Sequence, residues 1–198
     1  MSRFIETIRF EEGNPLNLEY HQQRVNRTCA EQAGCTAGPD LAAFFRTGAM
    51  PCEGICKCRI VYRTEIEVCT FSLYTPKQIR DVQLVHADSI EYTYKYENRA
   101  ELERLLSLTT ADEILIVKNG YVSDASFANV VFSDGDALFT PAHPLLRGTQ
   151  RQKLLDAGCI REAAITPADF ASFETFQLIN AMLPLEAGTA LPVSAIRF

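Results

Sequence analysis

An α+β fold is predicted for this chain by three features. Helical and strand-like stretches follow one another without a regular βαβ rhythm, apolar residues switch between periods of 2 and 3.6, and no repeat or low-complexity tract breaks the pattern. With 198 residues, 47% of them hydrophobic, the chain can bury the core of one large domain or of two small ones.

The elements follow in order. "FIETIRFEEGNPLNLE" reads as two short strands around an EEGNP turn. "LEYHQQRVNRTCAEQAG" has helical spacing through Leu18, His21, Val25 and Cys29, with Gly34 as its stop. "LAAFFRTG" predicts a second, short helix. "CKCRIVYRTEIEVCTFSLYTP" alternates on both sides of a polar RTE turn, which predicts a hairpin that Pro76 ends. The segment around Lys77–Gln78 is the expected boundary between a small domain, residues 1–77, and a larger one, residues 78–198.

The second part opens with a strand in "VQLVHAD" and a helix over 98–108. "DEILIVKNGYVSDASFANVVFSDGDALFTP" supplies strands separated by KNG and SDGD turns. A helix entered through glycine follows in "GTQRQKLLDAG", and "TFQLINAMLPLEAGTALPVSAIRF" closes with short strands around a Gly–Thr turn.

Composition narrows the function. A net charge of −6 and a pI near 5.1 argue against a nucleic-acid footprint. Small anions remain possible ligands, because they respond to local donors. No apolar run is long enough to span a bilayer, and "MSRFIETIRF" has no signal-peptide core, so a soluble, cytoplasmic protein without a membrane partner is expected. The seven cysteines are an odd number with no secretion signal, which predicts reduced thiols. "CEGICKC", residues 52–58, lacks a second pair or histidines at ligand spacing. No metal site is expected there; Cys56 and Cys58 read as small buried apolar side chains of a strand.

"EYTYKYENRAELERLL", residues 91–106, is the stretch with chemical interest. Lys95 sits among Tyr92, Tyr94 and Tyr96 just before a helix. Aromatic surroundings desolvate an amine and favour its neutral, nucleophilic form. A solvated lysine at a helix start is the plainer reading of this stretch by itself.

Five stretches in order resemble the class IV aminotransferases, the pyridoxal-phosphate enzymes of fold type IV. That family includes branched-chain and D-amino-acid aminotransferases and aminodeoxychorismate lyase. The resemblance covers nearly the whole chain. It implies a two-domain α+β fold with a small N-terminal α/β domain and a larger C-terminal pseudo-barrel domain, pyridoxal 5'-phosphate as cofactor, a small amino substrate and a homodimer. "HQQR" resembles the family's H-x-x-R, whose arginine binds the cofactor phosphate; Arg24 takes that place, and its planar fork suits phosphate. His21 would pack against it. "KYENRAEL" resembles the cofactor-lysine site, which makes Lys95 the Schiff-base lysine and the mobile acid–base. "GYVSDASFANVVF" resembles E-x-x-x-x-N, whose acidic residue meets the pyridine nitrogen. Asp124 stands there, one methylene shorter than the usual glutamate, with Asn129 five positions on. Read without the family, Asp124 is a turn former.

"LLRGTQRQKLL" resembles G-[IT]-x-R, a helix entrance where Gly148 and Thr149 would offer backbone donors to the phosphate. Arg147 and Arg151 read either as surface charges or as substrate-carboxylate contacts. "LINAMLPLEAGTALPV" resembles the lyase-type N-A-[LM]-M-P, placing Asn180 and Ala181 near phosphate and substrate; a core strand passing the site accounts for these residues equally well. "KYENR" has the lyase spacing K-x-x-N-R rather than the branched-chain K-x-x-x-N-Y. A 4-amino-4-deoxychorismate lyase releasing pyruvate and 4-aminobenzoate is therefore the preferred expectation. The alternatives are a D-amino-acid or branched-chain aminotransferase and a non-catalytic pyridoxal-phosphate binding protein. The chain begins almost at the family's F-E-T-I-R motif, which implies a trimmed small domain and substrate cap.

Overall fold

The computed structural model describes residues 2–46 and 53–198, so Cys52 lies outside the described residues. The chain packs as two units, Met1–Pro76 with Tyr94–Asn98, and Lys77–Thr93 with Arg99–Phe198.

In the first unit, β1 (Phe4–Glu11) turns through Glu12 and Gly13 into β2 (Asn14–Pro15). Both turn residues have positive φ, 46° and 79°, a conformation that glycine adopts without a Cβ penalty. Helix α1 (Leu18–Ala33) ends at left-handed Gly34, whose N–H reaches back to the Ala30 carbonyl. After helix α2 (Leu41–Arg46), the hairpin β3 (Ile55–Tyr62) and β4 (Ile66–Leu73) completes an antiparallel sheet of order β2-β1-β3-β4. Phe4, Ile8 and Phe10 alternate onto the sheet face that packs with Val25 and Cys29 of α1 and with Leu41 of α2. That alternation also carries Glu6 into the apolar layer, fully buried.

Although it follows later in the chain, Tyr94–Asn98 belongs to this unit. Phe4 and Tyr96 form an antiparallel bridge, Ile5 N–H donates to the Lys95 carbonyl at 2.9 Å, and Glu97 N–H donates to the Arg3 carbonyl at 2.9 Å. Rings of Tyr94 and Tyr96 lie against Phe4, with centroids 6.2 and 5.4 Å away. The tyrosines that flank Lys95 are thus part of an aromatic cluster on β1.

Cys29 and Cys58 are buried apolar side chains, and Cys35, Cys69 and Cys159 are also free thiols. Cys56 is disulfide-bonded, which corrects the expectation of reduced thiols at that position. An odd cysteine count requires a leftover thiol; it does not prevent individual pairs from forming.

The second unit contains β5 (Val82–His86), α3 (Ala100–Ser107), β6 (Glu113–Lys118), β7 (Tyr121–Ala125), β8 (Asn129–Ser133) and β9 (Leu138–Pro141). It continues with α4 (Thr149–Asp156), β10 (Arg161–Ala163), β11 (Thr175–Ile179), β12 (Leu191–Pro192) and β13 (Ile196–Arg197). The strands form two sheets, β13-β5-β6-β7 and β10-β9-β8-β11-β12. Strand β6 reads EILIVK and is buried on both faces, as a strand covered on both sides must be. Leu115, Val117, Val122, Val130, Phe132 and Phe176 form the centre of the core. The fold is α+β, with few helices and several sheets. Among the described residues no helix is long and apolar enough to cross a membrane.

Candidate active site

Two groups of side chains carry chemistry, one in each unit. In the first, the buried Glu6 carboxylate holds Arg24 and His21, which face it from successive turns of α1. Arg24 donates from Nε to Glu6 Oε1 at 2.8 Å and from Nη2 to Oε2 at 2.5 Å. His21 donates from Nδ1 to Oε2 at 2.6 Å. Burial by itself would push the Glu6 carboxyl up, but the Arg24 charge and the hydrogen bonds from Arg24 and His21 outweigh it and hold the pKa at about 2. Glu6 is therefore an anion that only accepts, so the His21 proton sits on Nδ1. Burial lowers the His21 pKa against the opposing pull of Glu6, and the nearby positive charges of Arg24 and Lys95 lower it further. His21 is accordingly a neutral ring whose Nε2 is buried without a hydrogen-bond partner.

This arrangement predicts acid sensitivity. A carboxylate whose folded pKa is depressed from 4.5 to about 2 contributes stability above pH 4.5 and loses it as pH falls toward 2. The loss is about 3 kcal/mol. Glu6→Gln should cost about 3–5 kcal/mol near neutral pH, because it breaks the buried Arg24–Glu6 ion pair. It should also flatten the stability profile between pH 5 and pH 2, measured by thermal unfolding. Equal acid slopes in both proteins would show that Glu6 is not the group responsible.

In the second unit, Asp124 lies within β7 rather than in a turn, and Asn129 opens β8. The short connection between the strands is closed by the Ala125 N–H donating to the Ala128 carbonyl, which brings the two side chains together. Asn129 Nδ2 donates to Asp124 Oδ1 at 2.7 Å and to the Leu146 carbonyl at 2.9 Å. The Leu146 N–H donates to Asp124 Oδ2 at 2.9 Å. Burial nevertheless dominates and pushes the Asp124 pKa up to about 6, against these hydrogen bonds and the Arg151 charge.

Gly148 precedes α4, and Thr149, its first residue, is buried. A Cβ on Gly148 would lie 2.0 Å from Asn129 Oδ1, so the close approach requiring glycine here is the one made by Asn129. Ile179 pairs with Asn129 across β11 and β8, which places Asn180 and Ala181 just beyond that pair. Asn180 Oδ1 accepts from the N–H groups of Met182 and Leu183 at 2.8 and 3.0 Å, and its Nδ2 donates to the Phe127 carbonyl at 3.3 Å. Asn180 thus shapes a tight turn against the β7–β8 connection.

Arg24 and Lys95 therefore belong to one unit. Asp124, Asn129, Gly148, Thr149, Asn180 and Ala181 belong to the other. Glu6 was absent from the sequence expectation, although a carboxylate in register with Phe4, Ile8 and Phe10 is a readable signal. The Leu146 N–H left no such signal, because backbone groups are identical at every position.

The chain matches the model of amino-transferase class IV over residues 69–195. An uncharacterized protein of Haemophilus influenzae is 37% identical over 185 residues, 92% of this chain and 98% of that protein. The structure of a Haemophilus somnus 129PT protein provisionally named 4-amino-4-deoxychorismate lyase is 35% identical. It superposes with a TM-score of 0.86 over 93% of this chain and 98% of that one. The pyridoxal-phosphate-bound form of a hypothetical aminotransferase from Mycobacterium tuberculosis has the same fold, with 19% identity and a TM-score of 0.75 over 96% of this chain and 80% of that one. The matched family model and the near full-length relatives make this chain an enzyme of the class IV aminotransferase family.

Proposed function

We propose that this enzyme is a pyridoxal-phosphate-dependent lyase that splits 4-amino-4-deoxychorismate into pyruvate and 4-aminobenzoate. The observation that carries the reading is Asp124, a buried carboxylate whose proton affinity is raised to about 6 and whose position is fixed by Asn129 and Leu146. Such a group suits a ring N–H, because a charge-assisted contact offsets the cost of burying the anion. The lyase-type spacing of "KYENR" and the 35% identical relative provisionally named as this lyase favour elimination over transamination.

Pyridoxal phosphate, when bound, would supply an electron sink. The chain supplies the rest. Arg24 would bind phosphate with a guanidinium whose plane is set by its grip on Glu6. Gly148 and Thr149 offer backbone donors at the start of α4. Asp124 would keep the ring nitrogen protonated. Lys95 would hold the cofactor, take the proton from the substrate ring carbon that bears the amine, and give a proton to the departing enolpyruvate through Nζ. Aromatisation of the remaining ring drives the reaction forward.

Supplied with 4-amino-4-deoxychorismate and no keto acid, the enzyme should form 4-aminobenzoate over many turnovers. Conversion of D- or L-amino acids that stalls after one turnover and resumes with added 2-oxoglutarate would make it an aminotransferase. Bound cofactor with no turnover on either substrate class would make it a carrier.

A further inference from the structure

The two arginines that the sequence left equivalent are separated by the structure. Arg151 is buried, its side chain 3% exposed, and its Nη2 is spent on the Pro141 carbonyl and the Glu162 carboxylate at 2.9 and 2.6 Å. Arg147, one residue before Gly148, is exposed. It lies on a cleft of about 860 Å³ in the second unit, a volume typical of small-molecule sites. Tyr92, Tyr121, Pro144, Leu145 and Leu155 give the cleft apolar walls. Tyr121 and His143 pack ring against ring, with centroids 5.1 Å apart, which extends the apolar surface. Leu145 adjoins Leu146, whose N–H holds Asp124, so the cleft shares its wall with the loop that positions the buried carboxylate.

The charges in this cleft nearly cancel. Lys118 pairs with Glu91 at 2.8 Å, and Arg151 pairs with Glu162 at 2.6 Å. Of the lysine and arginine side chains lining the cleft, Arg147 forms no ion pair among the described residues. One cation is left over beside apolar, partly aromatic walls. This combination suits a ring that turns one carboxylate toward Arg147: the ring displaces water from the tyrosine and leucine surfaces, and the guanidinium fork takes the two oxygens.

We propose that this cleft binds ring carboxylates and that Arg147 is the residue that takes the carboxylate borne by the ring, fixing ring orientation and substrate specificity. The inference deepens the lyase reading and rests on it for the choice of ring. Arg151 has a different part, as a buried ion-paired support under the same loop.

The test titrates benzoate and 4-aminobenzoate into the cofactor-loaded enzyme by calorimetry, with benzylamine as the oppositely charged control. Both carboxylates should bind and benzylamine should not. Arg147→Gln should weaken carboxylate binding about tenfold or more, the worth of a charged hydrogen bond. Arg147→Lys should restore part of it, and Lys153→Gln, on exposed helix surface outside the cleft, should leave it unchanged. In the lyase assay, Arg147→Gln should raise KM more than it lowers kcat. Benzoate binding that is equal in wild type and Arg147→Gln overturns the inference, whether or not 4-aminobenzoate is produced. Benzoate binding that depends on Arg147 in an enzyme that forms no 4-aminobenzoate leaves this inference standing and sinks the lyase reading instead.

Discussion

Lys95→Ala is expected to lower turnover about 10³-fold or more, because in the proposed mechanism it removes the group that would hold the cofactor and make both proton transfers. The fold should survive. Lys95 contributes its backbone carbonyl to the edge of β1, where it accepts from the Ile5 N–H, and an alanine keeps that bond. Circular dichroism of the variant should therefore match wild type. Borohydride reduction in the presence of pyridoxal phosphate, followed by peptide mapping, should fix the cofactor to Lys95 in wild type and leave the variant unlabelled. Labelling at a different lysine, or a variant that turns over normally, would remove Lys95 from the mechanism.

The second large effect concerns Asp124. On the proposed mechanism, Asp124→Ala should reduce turnover about 10²–10³-fold, the cost of deleting a preorganised electrostatic contact at the reacting group. It should weaken cofactor binding much less, since the residues proposed to hold the phosphate, Arg24, Gly148 and Thr149, are unaltered. Asp124→Glu should recover a substantial part of the rate, which a purely structural role would not allow. Asp124 also has a pH signature in the cofactor-free protein. Its folded pKa is raised to about 6, so between its unfolded value near 4 and that point the folded chain holds a proton that the unfolded chain has lost. Stability contributed by this group is therefore present below pH 4 and declines as pH rises through 6, opposite in sign to Glu6. Asp124→Asn should remove that decline. An unchanged profile, together with wild-type activity in the alanine variant, would leave Asp124 as an ordinary strand residue.

Some of this was legible in the chain and some was not, and the difference is physical. The β1–β2 turn, the end of α1 at Gly34 and the β3–β4 hairpin follow from local rules: glycine tolerates positive φ, and alternation or 3.6-residue spacing decides which face meets the core. Strand β10 was missed because three residues, Arg161–Ala163, are too few to show a period. The seating of Tyr94–Asn98 on β1 was missed because nothing in "YKYEN" specifies which strand edge its backbone will complete.

By itself the sequence determined the order of motifs, hence the family, and the residue types at 24, 95, 124, 129, 148 and 149 on which the proposed mechanism rests. Tertiary structure decided their state. Arg24 is fixed by a carboxylate 18 positions away, and Asp124 by a backbone N–H 22 positions away. Burial turned Asp124 into a carboxylate of raised proton affinity while an arginine kept Glu6 an anion, although both are acidic residues on strands. Proton affinity depends on what surrounds a group once the chain has closed around it. Residue type sets only the starting value.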